Sequence, residues 1–505
     1  MSIELEELRR DRDAARAECA ALRSTLGLLQ RSLDTLQKAF TDQKEAFDRL
    51  IAQHEKLQKQ LFGRKSEKMP PPKKAIAKAD GTKPSREQIN AKRAARAKAR
   101  DEKVPVERTA VPVSPEKRSC PCCGSMRLKR VGDGRTQRLI EYVPPRFVYE
   151  DAVLETLACP CGDYIVTADA PPKPFEQSPY GPRFIAHVIV SKLLDAMPHY
   201  RLEKALARQG LTISRQTMTD LLHRAAESLE PLVARLFARI ATADLVQADE
   251  TTMRRQDTKK RGYLWSFLAE LEGHALIGYR FSPDRSQQTP VEVLGDSTGF
   301  LLADQYSGYG VVTAAGRRRH AGCWAHARRP IFEQARQHPE LEELLEAILD
   351  LYRVEYQAEA LGILGTDAHL AMRRVESFPI VMRIRLWIRE HAKLHPPRSA
   401  VGQALRYVRR NFRSLMTFLR DPRVHLDNNR SENALRIAAL IRKNSLFVGH
   451  QAAGENLAVL LSLVMSCVAN DVNPEDYLAD VLLRVHTHPA SSIDELLPHR
   501  WRPAA

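Results

Sequence analysis

Three short stretches place acidic side chains at the ends of apolar runs: 245–250 (LVQADE), 301–306 (LLADQY) and 426–435 (LDNNRSENAL). A carboxylate at the tip of a buried strand, gathered with two others, can hold two divalent cations, and two such cations drive in-line displacement at phosphorus. Asp249 and Asp304 are the first two candidates, and the third stretch offers Asp427 and Glu432. A single strand-end Asp is more often a cap, but two in neighbouring strands of one pattern share an edge. The chemistry these residues suit is cutting and joining of nucleic acid.

The elements that must position them are legible around the acids. From residue 244 the chain reads as three consecutive strands (DLVQADETTMRR, YLWSFLAEL, ALIGYRFSP), a fourth (FLLADQYSGYGVV), and a short HAGCW leading into helical AHARRPIFEQARQ. That order suits an α/β catalytic core with the mixed sheet of a ribonuclease-H-like fold. Asp249 is expected to end the first strand and Asp304 the fourth, side by side. Residues 333–423 have helical period and read as an all-α insertion inside a catalytic domain spanning 241–485, with a tail at 486–505. Asp427 or Asn428 is expected to cap a helix whose first or second turn carries Glu432, so either acid can face the metals. Glu432 is favoured, because Asp427 is already engaged as a cap.

The pentavalent transition state at phosphorus is more negative than the substrate, so Arg328, Arg329, Arg442 and Lys443 are candidates to stabilise it or to hold flanking phosphates of DNA; each reads equally as a surface charge. Cys323 and His326 form CxxH beside them, a second metal site or ordinary core packing at a strand end.

The N-terminal half adds binding modules. Leu22, Leu26, Leu29, Leu33, Leu36, Phe40, Phe47, Leu50, Leu57 and Leu61 keep a seam with alternating spacings of four and three, broken by Gln43 and His54. Residues 1–62 therefore read as a coiled coil, pairing with a second copy into a homodimer or higher oligomer, or folding back on the chain itself. Residues 64–103 carry 14 Lys/Arg against five Asp/Glu and almost nothing apolar, so 63–105 reads as a basic linker, either a phosphate-binding segment or a plain tether. Cys120, Cys123, Cys159 and Cys161 fall in two turns (CPCCG and CPCG) within a β-rich module at 106–170 and can close a tetrahedral zinc site; the second turn is one residue shorter than usual, which leaves a knuckle without metal as the alternative. In the helical region 171–240, RLEKALARQG, then LTI, then Ser214 opening RQTMTDLL, fits a helix-turn-helix that projects Arg215, Gln216 and Thr217, or two packed helices that touch no DNA.

Lysine plus arginine number 78 against 62 acids, a net charge of +16, as a protein approaching a polyanion requires. The N-terminus MSIELEELRRDRD lacks a secretory h-region and no uninterrupted apolar run reaches membrane-spanning length, so a cytoplasmic, nucleoid-associated protein with no membrane partner is expected.

DETTM, ADQYSGY, GCWAHARR, DNNRSENALR, RKNSLFVGH and NPEDYLADVLLR resemble, in order, the signature blocks of the insertion-sequence 66 transposases, as do QLFGRKSEK, CPCCG and PHYRLEKALARQG with SRQTM nearer the N-terminus. The resemblance covers nearly the whole chain. It implies a ribonuclease-H-like fold and an Asp-Asp-Glu triad, carried onto Asp249, Asp304 and Glu432 with two magnesium or manganese ions. It further implies transposition acting on the element's DNA ends and a target, and accessory proteins of the same element as partners. Gln305 stands where the family usually has glycine, and Ile437 where it commonly has proline.

Overall fold

The computed structural model describes residues 165–503 continuously, residues 146–158 and 160, and scattered positions before residue 127. The chain divides into two units, Met1–Arg100 and Asp101–Ala505. In the first, the described residues Gly27, Gln30, Thr35, Gln37, Lys38, Gln43 and Asn90 are helical. The leucine seam of the expected coiled coil lies outside the described residues, as does the basic linker apart from Asn90.

The second unit opens with a small hairpin, β1 (Thr156–Ala158) against β2 (Ile165–Thr167), in which Thr156 pairs with Thr167 and their hydroxyls lie 3.0 Å apart. Residues 146–155, expected to be β-rich, run without regular structure. Three helices follow: α1 (Pro182–Leu193), α2 (His199–Arg208) and α3 (Arg215–Thr242). Gly210 after α2 adopts φ +91°, and the Ser214 hydroxyl accepts the Thr217 N–H at 3.0 Å to cap α3, the start and stop chemistry that the sequence carries. Met218, Leu221, Ala225, Leu229, Leu232, Leu236 and Ile240 recur every three or four residues along α3 and are all buried.

That stripe lies against a five-stranded mixed sheet: β3 (Leu245–Arg254), β4 (Arg261–Leu271), β5 (His274–Ser282), β6 (Phe300–Ala303) and β7 (Arg319–Gly322), with α4 (Gln288–Leu294) between β5 and β6. The spatial order is β5-β4-β3-β6-β7. The first three strands pair antiparallel, while β6 and β7 run parallel to β3. Glu272 and Gly273, both at positive φ (57° and 79°), make the tight β4–β5 turn. Gly278 in β5 leaves room for Phe237 of α3, because a Cβ there would sit 2.6 Å from the Phe237 ring. Arg318 is fully buried and donates to the carbonyls of Ala241, Ala243 and Phe300, fixing the start of β6 beside the start of β3.

After β7 come α5 (Trp324–Ala335), α6 (Leu341–Ala360), α7 (Asp367–Met372), a wide turn at Arg373–Ser377, α8 (Phe378–His391), α9 (Ala400–Arg410) and α10 (Phe412–Leu415). This block is helical throughout, as its period predicts. Arg373, 1% exposed, grips Glu355 of α6 at 2.8 and 2.6 Å and donates to the carbonyls of Phe418 and Val424, tying the helical block to the segment that re-enters the core. The chain then forms α11 (Asn429–Ala434), α12 (Arg436–Ser445), α13 (Gln451–Ala469) and α14 (Pro474–Arg484).

β5 is an edge strand whose outward backbone groups would otherwise lack partners. Ser462 and Ser466 of α13 and Asn470 just past its end, four residues apart, supply them: the N–H groups of Tyr279, Ile277 and Ala275 donate to their side chains at 2.7, 3.0 and 3.2 Å. α13 is also long and apolar enough to cross a membrane by length and composition, although Glu455 and Asn456 interrupt its apolar run. Here it is a core helix, with Leu460, Leu461, Leu463 and Val464 buried.

Candidate active site

The two aspartates meet through strand register. β3 pairs with β6 at Leu245↔Phe300, Val246↔Leu301 and Gln247↔Leu302, and the same register carried two residues further sets Asp249 opposite Asp304, just past the end of β6. Asp249 does not end its strand, as expected, but lies in its middle; β3 continues to Arg254 because β4 still pairs with it. What ends beside Asp249 is β6, and that opens the edge.

Glu432 arrives from α11, which is fastened to the same place. Asn428 is fully buried; its amide donates to the Ala248 carbonyl at 2.8 Å and its N–H points to the Cys323 sulfur at 3.3 Å. Ser431 bonds Ser266 at 2.9 Å, and Ser266 reaches the Asp249 carbonyl at 3.3 Å. Glu432, one residue further, lies 3.7 Å from both His326 Nδ1 and Arg329 of α5, yet its Oε1 is buried without a hydrogen-bond partner. Asp427 spends its oxygens on Asn429, accepting the backbone N–H at 3.1 Å and the side-chain amide at 2.7 Å. Asn428, not Asp427, occupies the N-cap position of α11, without a side-chain capping bond; Asp427, one residue earlier, accepts the first helical N–H.

The acids act on one another electrostatically. Burial raises the Asp249 carboxyl to about 7, reinforced by Glu250 and, more weakly, by Asp304 and Glu432, against the Glu250 N–H that it accepts at 2.9 Å. Glu250 is a fourth acid that sequence reasoning did not single out. Strand alternation turns it to the opposite face from Asp249, where its side chain is 3% exposed and accepts from Arg285 at 2.6 Å and Tyr309 at 2.9 Å. Burial, then the Asp304 charge, push its carboxyl up, opposed by Arg285. Arg285 lies 3.7 Å from Asp304 and stacks over Tyr306, 4.0 Å from the ring centre. Asp304 itself accepts the Tyr306 N–H at 2.9 Å. Gln305, the departure from the resemblance's usual glycine, bonds Ser414 of α10 at 2.9 Å.

The candidate cations separate into two kinds. Arg329 is 48% exposed beside Glu432, and Lys443 is exposed on α12. Arg328, by contrast, is 9% exposed and lies over the Phe332 ring at 5.0 Å, because it falls on the buried stripe of α5 with Trp324, Ala327 and Ile331. That placement puts Arg328 on the packed side of α5. Arg442 is half-buried and donates to the Thr252 carbonyl at 2.7 Å, fastening α12 to β3. Burial pushes the Cys323 thiol up to about 12, and its sulfur takes the Asn428 N–H at 3.3 Å.

Arg215 and Gln216 are exposed at the start of α3; Arg215 lies 3.2 Å from Glu203 and Gln216 donates to Asp220 at 2.8 Å, while the half-buried Thr217 bonds Ser214. A groove lined by Arg385, Arg389, Lys393 and Arg409, with Ile388 and Phe412 among its walls, runs along the helical block and was not anticipated. Of the expected zinc ligands, Cys123 is exposed in a turn; Cys120, Cys159 and Cys161 lie outside the described residues, the last two between β1 and β2.

Residues 177–456 match the model of the transposase IS66 family. The chain belongs to the IS66 transposase family. Residues 462–499 match the IS66 C-terminal element, and 117–162 match the zinc-finger binding domain of transposase IS66. The uncharacterized protein y4hP of Sinorhizobium fredii is 30% identical over 428 residues, covering 79% of this chain and 76% of the relative. Uncharacterized protein y4jD of the same organism is 30% identical over 412 residues, 77% of this chain and 79% of that protein. The family makes this chain a transposase, an enzyme that cleaves and joins DNA.

Proposed function

We propose that this transposase works through an Asp-Asp-Glu triad, Asp249, Asp304 and Glu432, in a ribonuclease-H-like sheet that holds two magnesium or manganese ions. The observation that carries the reading is the convergence of three carboxylates at the end of β6, with one oxygen of Glu432 buried and without a hydrogen-bond partner. An acid raised to about 7 by burial and by its neighbours is a site that a cation would complete. The donor set fits, because hard carboxylate oxygens suit magnesium and manganese. When bound, the ions would supply activation of water or of a 3′-hydroxyl and stabilisation of the leaving oxygen.

The chain's own residues orient and screen that chemistry. Asn428 and Ser431 hold α11 on β3 so that Glu432 keeps its place, and Arg329 stands where it can meet a phosphate oxygen. Arg285 donates to Glu250 and lies 3.7 Å from Asp304, offsetting part of the negative charge there. Lys443 and the groove of Arg385, Arg389, Lys393 and Arg409 supply sequence-independent phosphate contacts, with Arg215, Gln216 and Thr217 as the reading positions of a helix-turn-helix. A coiled coil at 1–62 pairs two copies for the two ends of the element, zinc on Cys120, Cys123, Cys159 and Cys161 shapes the finger, and accessory proteins of the element assist.

The test is a cleavage and joining assay on DNA carrying the element's ends, with magnesium. Asp249→Asn and Asp304→Asn keep shape and remove charge, so DNA binding should persist while both reactions fall about a thousandfold. Full activity in either variant would refute the triad.

A further inference from the structure

Away from the acid cluster, the turn between α5 and α6 and the loop between α8 and α9 bring together three side chains of metal-ligand type. His338 and Glu340 flank Pro339 just before α6, and His395 follows α8. His338 Nδ1 lies 3.1 Å from Glu340 Oε1, and His395 Nε2 lies 3.6 Å from the same oxygen. One donor atom from each of the three lies within 4.8 Å of the other two. The two imidazole centres are 5.6 Å apart with their planes at 84°, edge to face. Ligand atoms bound tetrahedrally at zinc distances of about 2.0–2.1 Å sit about 3.4 Å from one another, close to the spacing found here.

Within the group, the His395 end is the unsatisfied one. The His395 side chain is 12% exposed, and its Nε2 is buried without a hydrogen-bond partner. A buried ring nitrogen without a hydrogen-bond partner is costly unless something is held against it. We propose that His338, Glu340 and His395 form a zinc site, two imidazoles and one carboxylate with the fourth position left to solvent. Two nitrogens and one oxygen favour zinc over magnesium, which takes oxygen ligands and keeps its waters. Close by, Trp387 of α8 donates to Glu343 of α6 at 2.9 Å, so the ion would clip together two helices that already touch. It would also anchor the C-terminal side of α5, the helix that carries His326 and Arg329 to Glu432.

The test uses the full chain, so that the cysteine cluster is present in every sample. Zinc is counted by mass spectrometry after gel filtration for the wild type and the His338→Ala/His395→Ala variant, which should lose one equivalent. Loss of even an outer-shell partner weakens metal sites about 10–100-fold, so Glu340→Gln, which preserves shape, should weaken zinc binding about tenfold or more in competition with a chromophoric chelator. In the cobalt-substituted protein, the wild type minus double variant spectrum should show weak visible bands and no near-ultraviolet thiolate absorption. Equal zinc content in wild type and double variant overturns the proposal. So does a difference spectrum dominated by thiolate absorption, since the lost ion then came from cysteines, and so does unchanged zinc affinity in Glu340→Gln.

Discussion

Removing the Asp249 charge should stabilise this protein when magnesium is absent. The Asp249 carboxyl is raised from 3.8 to about 7, so the folded chain binds its proton more tightly than the unfolded chain. The stability this lends is full below about pH 4 and is lost as pH rises through about 7. A shift of about three units corresponds to a ceiling of about 4 kcal/mol at alkaline pH, shared with Glu250, Asp304 and Glu432 through their mutual repulsion. Asp249→Asn keeps the shape and removes that cost. In magnesium-free buffer with zinc left in place, its thermal midpoint at about pH 8 should exceed that of the wild type by several degrees. Below about pH 4, where the carboxyl is protonated in the folded and unfolded chain alike, the gap should close. Added magnesium should raise the wild type and leave the variant nearly unchanged, because binding to the folded state alone shifts the midpoint. A variant less stable than wild type at alkaline pH, or a gap that does not change with pH, would refute the reasoning.

Substituting Leu29, Leu33 and Leu36 with Asp would bury charges in a coiled-coil seam and should convert an oligomer to monomers in light scattering, provided that the unmodified protein is oligomeric. Asn428→Ala removes the bond to Ala248 and leaves that buried carbonyl unpaired; a cost of about 1–3 kcal/mol should appear in urea unfolding, with a larger loss in DNA cleavage than in DNA binding. Burial holds His199, His425 and His499 down at about 4, so the folded state binds fewer protons than the unfolded one; stability present above about pH 6.5 should fall steadily towards pH 4 in an acid titration followed by circular dichroism.

The sheet was legible because each strand carries its own apolar run and the acids end or interrupt those runs. Asp249 and Asp304 could be paired from the order of strands alone, whereas the point at which β6 stops, which opens the edge beside Asp249, depends on register. Glu250 stood next to a named residue and was passed over, since its importance comes from Arg285 and Tyr309, which sequence separates from it. Arg328 carried a signal that was available: it falls in the spacing of Trp324, Ala327, Ile331 and Ala335, a buried helical stripe. Ser462, Ser466 and Asn470 also recur every four residues, but their role appears only once β5 is known to be an edge. His338 and His395 share no local motif and meet only because α5, α6 and α8 pack together.

The central claim, that Glu432 completes the acid cluster, is tested most directly by comparing Glu432→Gln with Asp427→Asn in magnesium-dependent cleavage of DNA bearing the element's ends. Asparagine at 427 can still accept the Asn429 N–H, so that variant should retain most activity, while Glu432→Gln should lose about a thousandfold with DNA binding intact. An active Glu432→Gln alongside a dead Asp427→Asn would place the third acid at 427 and contradict the account.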